Sequence, residues 1–116
     1  MQTRLTYMYR DASNYKWHGE AVFEGEITDA EKECFVRACN DGEYFIASQV
    51  GLEDLQRQLI AFPDEDDHVW SEIDGFELTD HPATHGSIHE FIRLMDGIEW
   101  DVLGAIARLG LARTPA

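Results

Sequence analysis

Positive charge is scarce in this 116-residue chain: nine Lys and Arg stand against 23 Asp and Glu, for a formal net charge of −14 and an isoelectric point near 4.5. A surface that tracks the phosphates of a nucleic acid needs the opposite balance, so direct nucleic-acid binding is excluded. Cysteine is equally sparse, with only Cys34 and Cys39. Both fall in a stretch that reads as helix, where five residues of separation set side chains about 140° apart around the axis. They cannot pair with each other there, and two reduced thiols fit a cytoplasmic protein. No apolar run is long enough to span a bilayer, and no charged-then-apolar leader opens the chain, so membrane insertion and secretion are not expected. Linkers rich in Ser and Gly, internal repeats and low-complexity tracts are also lacking, apart from the short run Asp64-Glu65-Asp66-Asp67.

What is present suffices for one core. Hydrophobic residues make up 44% of the chain, with three Trp, four Tyr and six Phe, which excludes a disordered tail. The length predicts a single domain spanning residues 1–116. Charge is unevenly distributed: residues 1–18 carry Arg4, Arg10 and Lys16 against Asp11, whereas residues 19–101 hold every other acid against Lys32, Arg37, Arg57 and Arg93.

Alternation of Leu5, Tyr7 and Tyr9 with Thr6, Met8 and Arg10 predicts a strand. The polar cluster Asp11–Asn14 predicts a turn, followed by a second strand from about Lys16 to Ile27. Ala21, Phe23 and Ile27 would face the core, with Glu20, Glu24 and Glu26 together on the other side. Thr28 and Glu31 form a capping-box pattern opening a helix that ends near Asn40-Asp41-Gly42. Tyr44-Phe45-Ile46 reads as a short strand or buried loop. Leu52, Leu55, Leu59 and Phe62 at helical spacing predict a helix stopped by Pro63. His68–Ile73 and Phe76–Thr79 read as strand around Asp74-Gly75, a hairpin or a bulge. Ser87 and Glu90 open a helix with Ile88, Phe91, Ile92 and Met95 on one face. Gly97 interrupts it before Val102, Ile106 and Leu109 continue an apolar stripe. The order predicts an α+β fold: a small antiparallel sheet of 3–5 strands packed by helices on one face.

Catalytic signatures are missing. Neither cysteine lies near a histidine or a helix terminus, and no nucleophile elbow or phosphate-cradling glycine loop occurs, so no enzyme and no cofactor are expected. His81, His85 and His89 recur every four residues, the spacing of helical metal ligands. Pro82 and the cap at Ser87 leave only His89 helical, which favours a polar loop with incidental histidines over a metal-dependent enzyme. His68 beside Asp67 would point away from it on a strand. The segment holding Tyr7, Tyr9, Arg10, Tyr15, Lys16 and Trp17 has the composition of a base-stacking platform, but three cations within so acidic a chain make packing of a sheet face the better reading.

The acidic surface itself is the functional feature. Duplex DNA carries about one negative charge per 1.7 Å of axis. Acids on one strand face lie about 7–14 Å apart, and neighbouring strands about 4.8 Å away supply the rest. Glu20, Glu24, Glu26, Asp64, Glu65, Asp66, Asp67, Glu72 and Asp74, with Trp70 or Trp17 as a rim anchor, are therefore the candidate partner-binding residues. The expected partner is a protein with a basic, nucleic-acid-binding surface, such as a nuclease or a CRISPR effector. The alternatives are a solvated acidic surface without such a role, and a non-catalytic structural protein forming a homodimer through an apolar helix face near the C-terminus.

The segment Tyr9-Arg10-Asp11-Ala12-Ser13-Asn14-Tyr15-Lys16, with Gly19, Phe23, Gln49-Val50-Gly51-Leu52 and His68-x-Trp70-x-Glu72, resembles a small uncharacterised bacterial and mobile-element protein family. That resemblance supplies no catalytic residue. In size and acidity the chain is similar to phage anti-restriction and anti-CRISPR proteins, which implies a DNA-mimic inhibitor by analogy with their blocking of nuclease sites.

Overall fold

Gln2–Arg10 forms the first strand (β1), and its alternation is fully expressed: Thr3, Leu5, Tyr7 and Tyr9 are buried, whereas Arg4, Thr6, Met8 and Arg10 face outward. It pairs antiparallel with Lys16–Phe23 (β2) on one side and Ser71–Thr79 (β4) on the other, and β4 pairs with the two-residue Tyr44–Phe45 (β3). The sheet is thus four-stranded and antiparallel in the order β2-β1-β4-β3. Helices Asp29–Ala38 (α1) and Ile88–Met95 (α2) pack on its inner face, where Leu5, Tyr7, Phe23, Phe35, Phe45, Phe91 and Met95 share one cluster. Phe35 is fully buried and meets Phe45 and Phe76 edge-on at 5.8 and 5.2 Å. The third helix, Val102–Leu109 (α3), closes a smaller cluster of Ile46, Val69, Ala105, Leu109 and Leu111. This is the α+β architecture expected from the element order, in a computed structural model that describes residues 1–111.

Two stretches differ from expectation, and a third takes one of its two expected forms. β2 stops at Phe23, not Ile27, because Gly25 turns the chain with φ of +91°. Thr3 then donates to the Gly25 carbonyl (2.7 Å) and accepts from the Ile27 amide (2.9 Å), anchoring the exit. The helix expected through Leu52, Leu55, Leu59 and Phe62 is replaced by a single 3-10 turn, Leu55–Gln58, with another such turn, Ala47–Val50, preceding the stretch. Gly51 sits in the left-handed region at φ +83°, and the fully buried Gln56 donates to the His68 carbonyl at 3.0 Å. Tertiary hydrogen bonds outweigh the apolar spacing there. Asp74 is the extra residue of a bulge in one continuous β4, where the register against β1 shifts between Thr6 and Tyr7.

α1 ends at Ala38 with Cys39 extended, and Gly42 takes its left-handed conformation in the following turn. Ser87 caps α2 by accepting from the His89 and Glu90 amides, and Asp101 caps α3 by accepting from Gly104. The apolar stripe of α3, one of the helix faces near the C-terminus, is largely used inside the molecule, although Leu103 of α3 and Leu94 of α2 stay exposed. No helix among the described residues is long and apolar enough to cross a membrane.

Candidate functional site

The end of the molecule at the β1–β2 turn is assembled from chain segments far apart in sequence. Asp11 closes the turn, donating its amide to the Tyr15 carbonyl (3.0 Å) and accepting the Tyr15 amide on its carboxylate (2.9 Å). Asn14, at φ +68°, lets the chain reverse. The acidic run is then pinned under this turn: the Asp66 carbonyl accepts from Ala12 at 3.1 Å, and the Ser13 hydroxyl donates to the Asp66 carboxylate. Asp67 goes inward. Its carboxylate accepts the Tyr9 hydroxyl at 2.7 Å and the Asp64 amide at 2.9 Å. The Tyr9 oxygen in turn accepts the His68 amide at 3.1 Å.

His68 completes the lattice. Its Nε2 donates to the Arg10 carbonyl (2.7 Å), while Nδ1 accepts the Trp70 amide (3.0 Å), the pattern of a neutral imidazole protonated at Nε2. The imidazole stacks obliquely on Tyr9, with ring centroids 5.0 Å apart. His68 therefore bonds no Asp67 carboxylate oxygen and serves the backbone on either side.

On the opposite wall, Asn40 and Tyr44 exchange backbone hydrogen bonds around Asp41, which has φ of +53°. Tyr44 is registered against Glu72, and the Arg10 guanidinium bridges Glu72 (3.3 Å) and Asn14 (3.1 Å). Between the walls lies a hollow of about 410 Å³, lined by Asp11, Asp41 and Glu72 together with Arg10, Asn40, Tyr44, His68 and Trp70. Arg10 is the one cation among these lining residues. The concentrated negative charge is felt by the Tyr44 hydroxyl, whose pKa rises above its ordinary value through Glu43 first, then burial, Glu72 and Asp41, against the opposing pull of Arg10. Burial and the Asp67 hydrogen bond likewise raise the Tyr9 hydroxyl. Chemically, such a hollow favours a cation, and Tyr44 and Trp70 offer aromatic surface to a guanidinium.

Of the residues expected to bind a partner, Asp64, Glu65, Asp66 and Asp67 lie on the run pinned beneath this end, and Glu72 and Trp70 line the hollow. Asp67 is a correction: it is buried and structural, not part of an accessible surface. Glu20 and Asp74 lie on the open sheet face instead, where Glu20 meets Arg4 at 3.1 Å and Asp74 accepts from Thr6 at 3.3 Å. Arg4 also holds Glu77 at 2.7 Å, so one guanidinium serves two glutamates on that face. The expected shared strand face of Glu20, Glu24 and Glu26 is not formed, because β2 has ended before Glu24, and Glu26 pairs with the N-terminal amine at 3.5 Å. Trp17 sits on the β2 edge, 45% exposed, away from the hollow.

The three histidines do not converge. His81 accepts from Arg4 (2.6 Å), His85 bonds Thr84 (2.8 Å) and rests against Phe23, and His89 donates to Glu31 (2.7 Å). The stretch between His81 and Gly86 is not helical, so a spacing of four does not align them. Among the described residues, no group of three or more His, Cys, Asp or Glu side chains is arranged to hold a metal ion. No local sequence signal marks Asp11, Asn40, Asp41 and Tyr44 as site residues; only β3–β4 pairing, a long-range contact, brings Asn40–Tyr44 to Glu72. Searches of protein-family models, curated proteins and solved structures return no match to this chain, so no functional residue is carried to it from a relative.

Proposed function

We propose that the protein is a non-enzymatic binding protein whose acid-lined hollow receives a Lys- or Arg-bearing, nucleic-acid-binding surface of another protein, in the manner of a DNA mimic. One observation supports this above all: acids from four separate segments, at Asp11, Asp41-Glu43, Asp64–Asp66 and Glu72, gather at one end with Arg10 as the cation at their centre. Gathering carboxylates raises their mutual repulsion, which a basic partner relieves. Charge then sets association rate and partner choice, and Trp70 and Tyr44 add contact area at the point of insertion. The setting is the cytoplasm, where Cys34 and Cys39 remain free; burial pushes the Cys39 thiol up to about 12, so it stays protonated and unreactive.

The test is capture from a bacterial extract on immobilised protein, followed by elution with duplex DNA. A bound basic protein released by DNA, and not retained by an Asp41→Asn/Glu43→Gln/Glu72→Gln variant, is the expected result. Bound proteins indifferent to DNA, or retained equally by that variant, would overturn the reading.

A further inference from the structure

We infer that the exposed edge of β2 pairs with the same edge of a second copy of this chain, antiparallel and centred on His18, joining two sheets into one. The inference stands apart from the acidic hollow and rests on three features of one strand.

The first is backbone parity. β2 is an edge strand, with β1 on one side only. At its far end the edge is covered: the Val22 amide donates to Thr84 Oγ1, the Val22 carbonyl accepts from Thr84 and His85, and Glu24 exchanges hydrogen bonds with Gly86 and Ile88. Even-numbered residues therefore point their amide and carbonyl groups away from β1, since these directions alternate along an antiparallel strand. Lys16, His18 and Glu20 do the same, and among the described residues their outward backbone groups have no hydrogen-bond partner. Lys16, Trp17, His18 and Glu20 are all exposed.

The second feature is the window itself. It opens after Asn14, where the chain reverses, and closes at Val22 under Thr84, leaving Lys16–Glu20 free. A two-fold axis at His18 places Lys16 opposite the partner's Glu20, Trp17 opposite the partner's Gly19 and His18 opposite the partner's His18. Every outward-pointing residue then meets another outward-pointing one, so three pairs each exchange two hydrogen bonds. A shift of one residue would oppose outward groups to inward ones and lose them all.

The third feature is complementarity of side chains. Lys16 and Glu20 change places across the axis and make two opposite-charge cross-strand pairs on the open face. On the inner face Gly19 carries no side chain to obstruct the facing indole, and a methyl group there would come within 2.8 Å of Leu55. Beside this edge, Tyr15, Trp17, Leu59 and Ile60 rim an apolar groove of about 460 Å³, with Tyr15 68% exposed and Ile60 wholly so. An unprotected edge flanked by exposed aromatics is a template for a further strand, and this one is its own complement.

Sedimentation equilibrium over roughly 1 μM to 1 mM protein tests the inference. The expected result is a reversible monomer–dimer equilibrium. Lys16→Glu should weaken it about tenfold, because two attractions become repulsions by symmetry, and Lys16→Glu/Glu20→Lys should restore it to within about threefold. His18→Pro, which an edge strand tolerates, removes the central amide and should abolish the dimer while circular dichroism stays native. A monomer throughout, a charge swap without recovery, or a dimer through α3 indifferent to all these changes would overturn it.

Discussion

Tyr9 shows how far a single side chain commits its neighbours. Its hydroxyl is both donor to Asp67 and acceptor from the His68 amide, in a site it fills completely. Tyr9→Phe removes only an oxygen but leaves a buried carboxylate and a backbone amide each short of a partner, so the expected loss is about 2 kcal/mol in urea denaturation. A loss below about 0.5 kcal/mol would show that water replaces the hydroxyl. Tyr7 adds a pH limit from the same layer. Burial first, then Glu53, raises its pKa from 10.0 to about 12, and its hydroxyl donates to the Glu53 carbonyl at 2.9 Å. A raised folded-state pKa means stabilisation fully present below pH 10.0 and lost as pH rises through about 12. Tyr7→Phe should therefore flatten the alkaline limb of stability against pH; an unchanged limb would place that titration elsewhere. At this scale the sequence distinguishes little. Asp66 and Asp67 are neighbours of one type, yet one holds a surface turn and the other is buried, because only the fold decides which of them faces Tyr9.

Elements were legible where their signals were local. The capping box at Thr28 and Glu31 is present in full, the alternation of β1 is present residue by residue, and α2 carries the apolar face read from Ile88, Phe91, Ile92 and Met95. Residues 51–62 were illegible because their apolar residues serve two clusters, Leu52 and Leu55 in one and Phe62 against the other, which a single helix would hold on one stripe. α1 and α2 are linked by a hydrogen bond as well as packing: His89 donates to Glu31 at 2.7 Å. Burial pushes the Glu31 carboxyl up, but the hydrogen bonds from His89 and Thr28 outweigh it and hold the pKa below its ordinary value of 4.5. A lowered folded-state pKa gives stabilisation present above pH 4.5 and lost as pH falls below it. The stability difference between the protein and Glu31→Gln should accordingly shrink on acidification from pH 4.5, measured by urea denaturation at several pH values. A difference independent of pH would assign the helix contact to packing alone.

For the whole molecule the decisive quantity is where a net charge of −14 resides. On the open sheet face Arg4 answers both Glu20 and Glu77, which ties those strand acids into a small ion-pair network. At the β1–β2 turn, by contrast, three long-range connections bring acids together: Asp66 to Ala12, Asp67 to Tyr9, and Tyr44 to Glu72. Composition announced the surplus, but its location depends on pairings between residues up to 58 positions apart, which periodicity does not reveal. The lining of the hollow sets the carboxylates of Asp11, Asp41 and Glu72 against the single guanidinium of Arg10, and on the proposed reading this negative surplus is what draws a cation to one end of the protein. The most direct test follows amide resonances of the isotope-labelled protein as an oligo-arginine peptide is added at low salt. The account predicts the largest shifts at Asn40, Asp41, Tyr44, His68 and Trp70, collapsing as added salt shortens the Debye length. Shifts of equal size at Asp29, Glu33 and Glu90, on the helices away from that end, would contradict it.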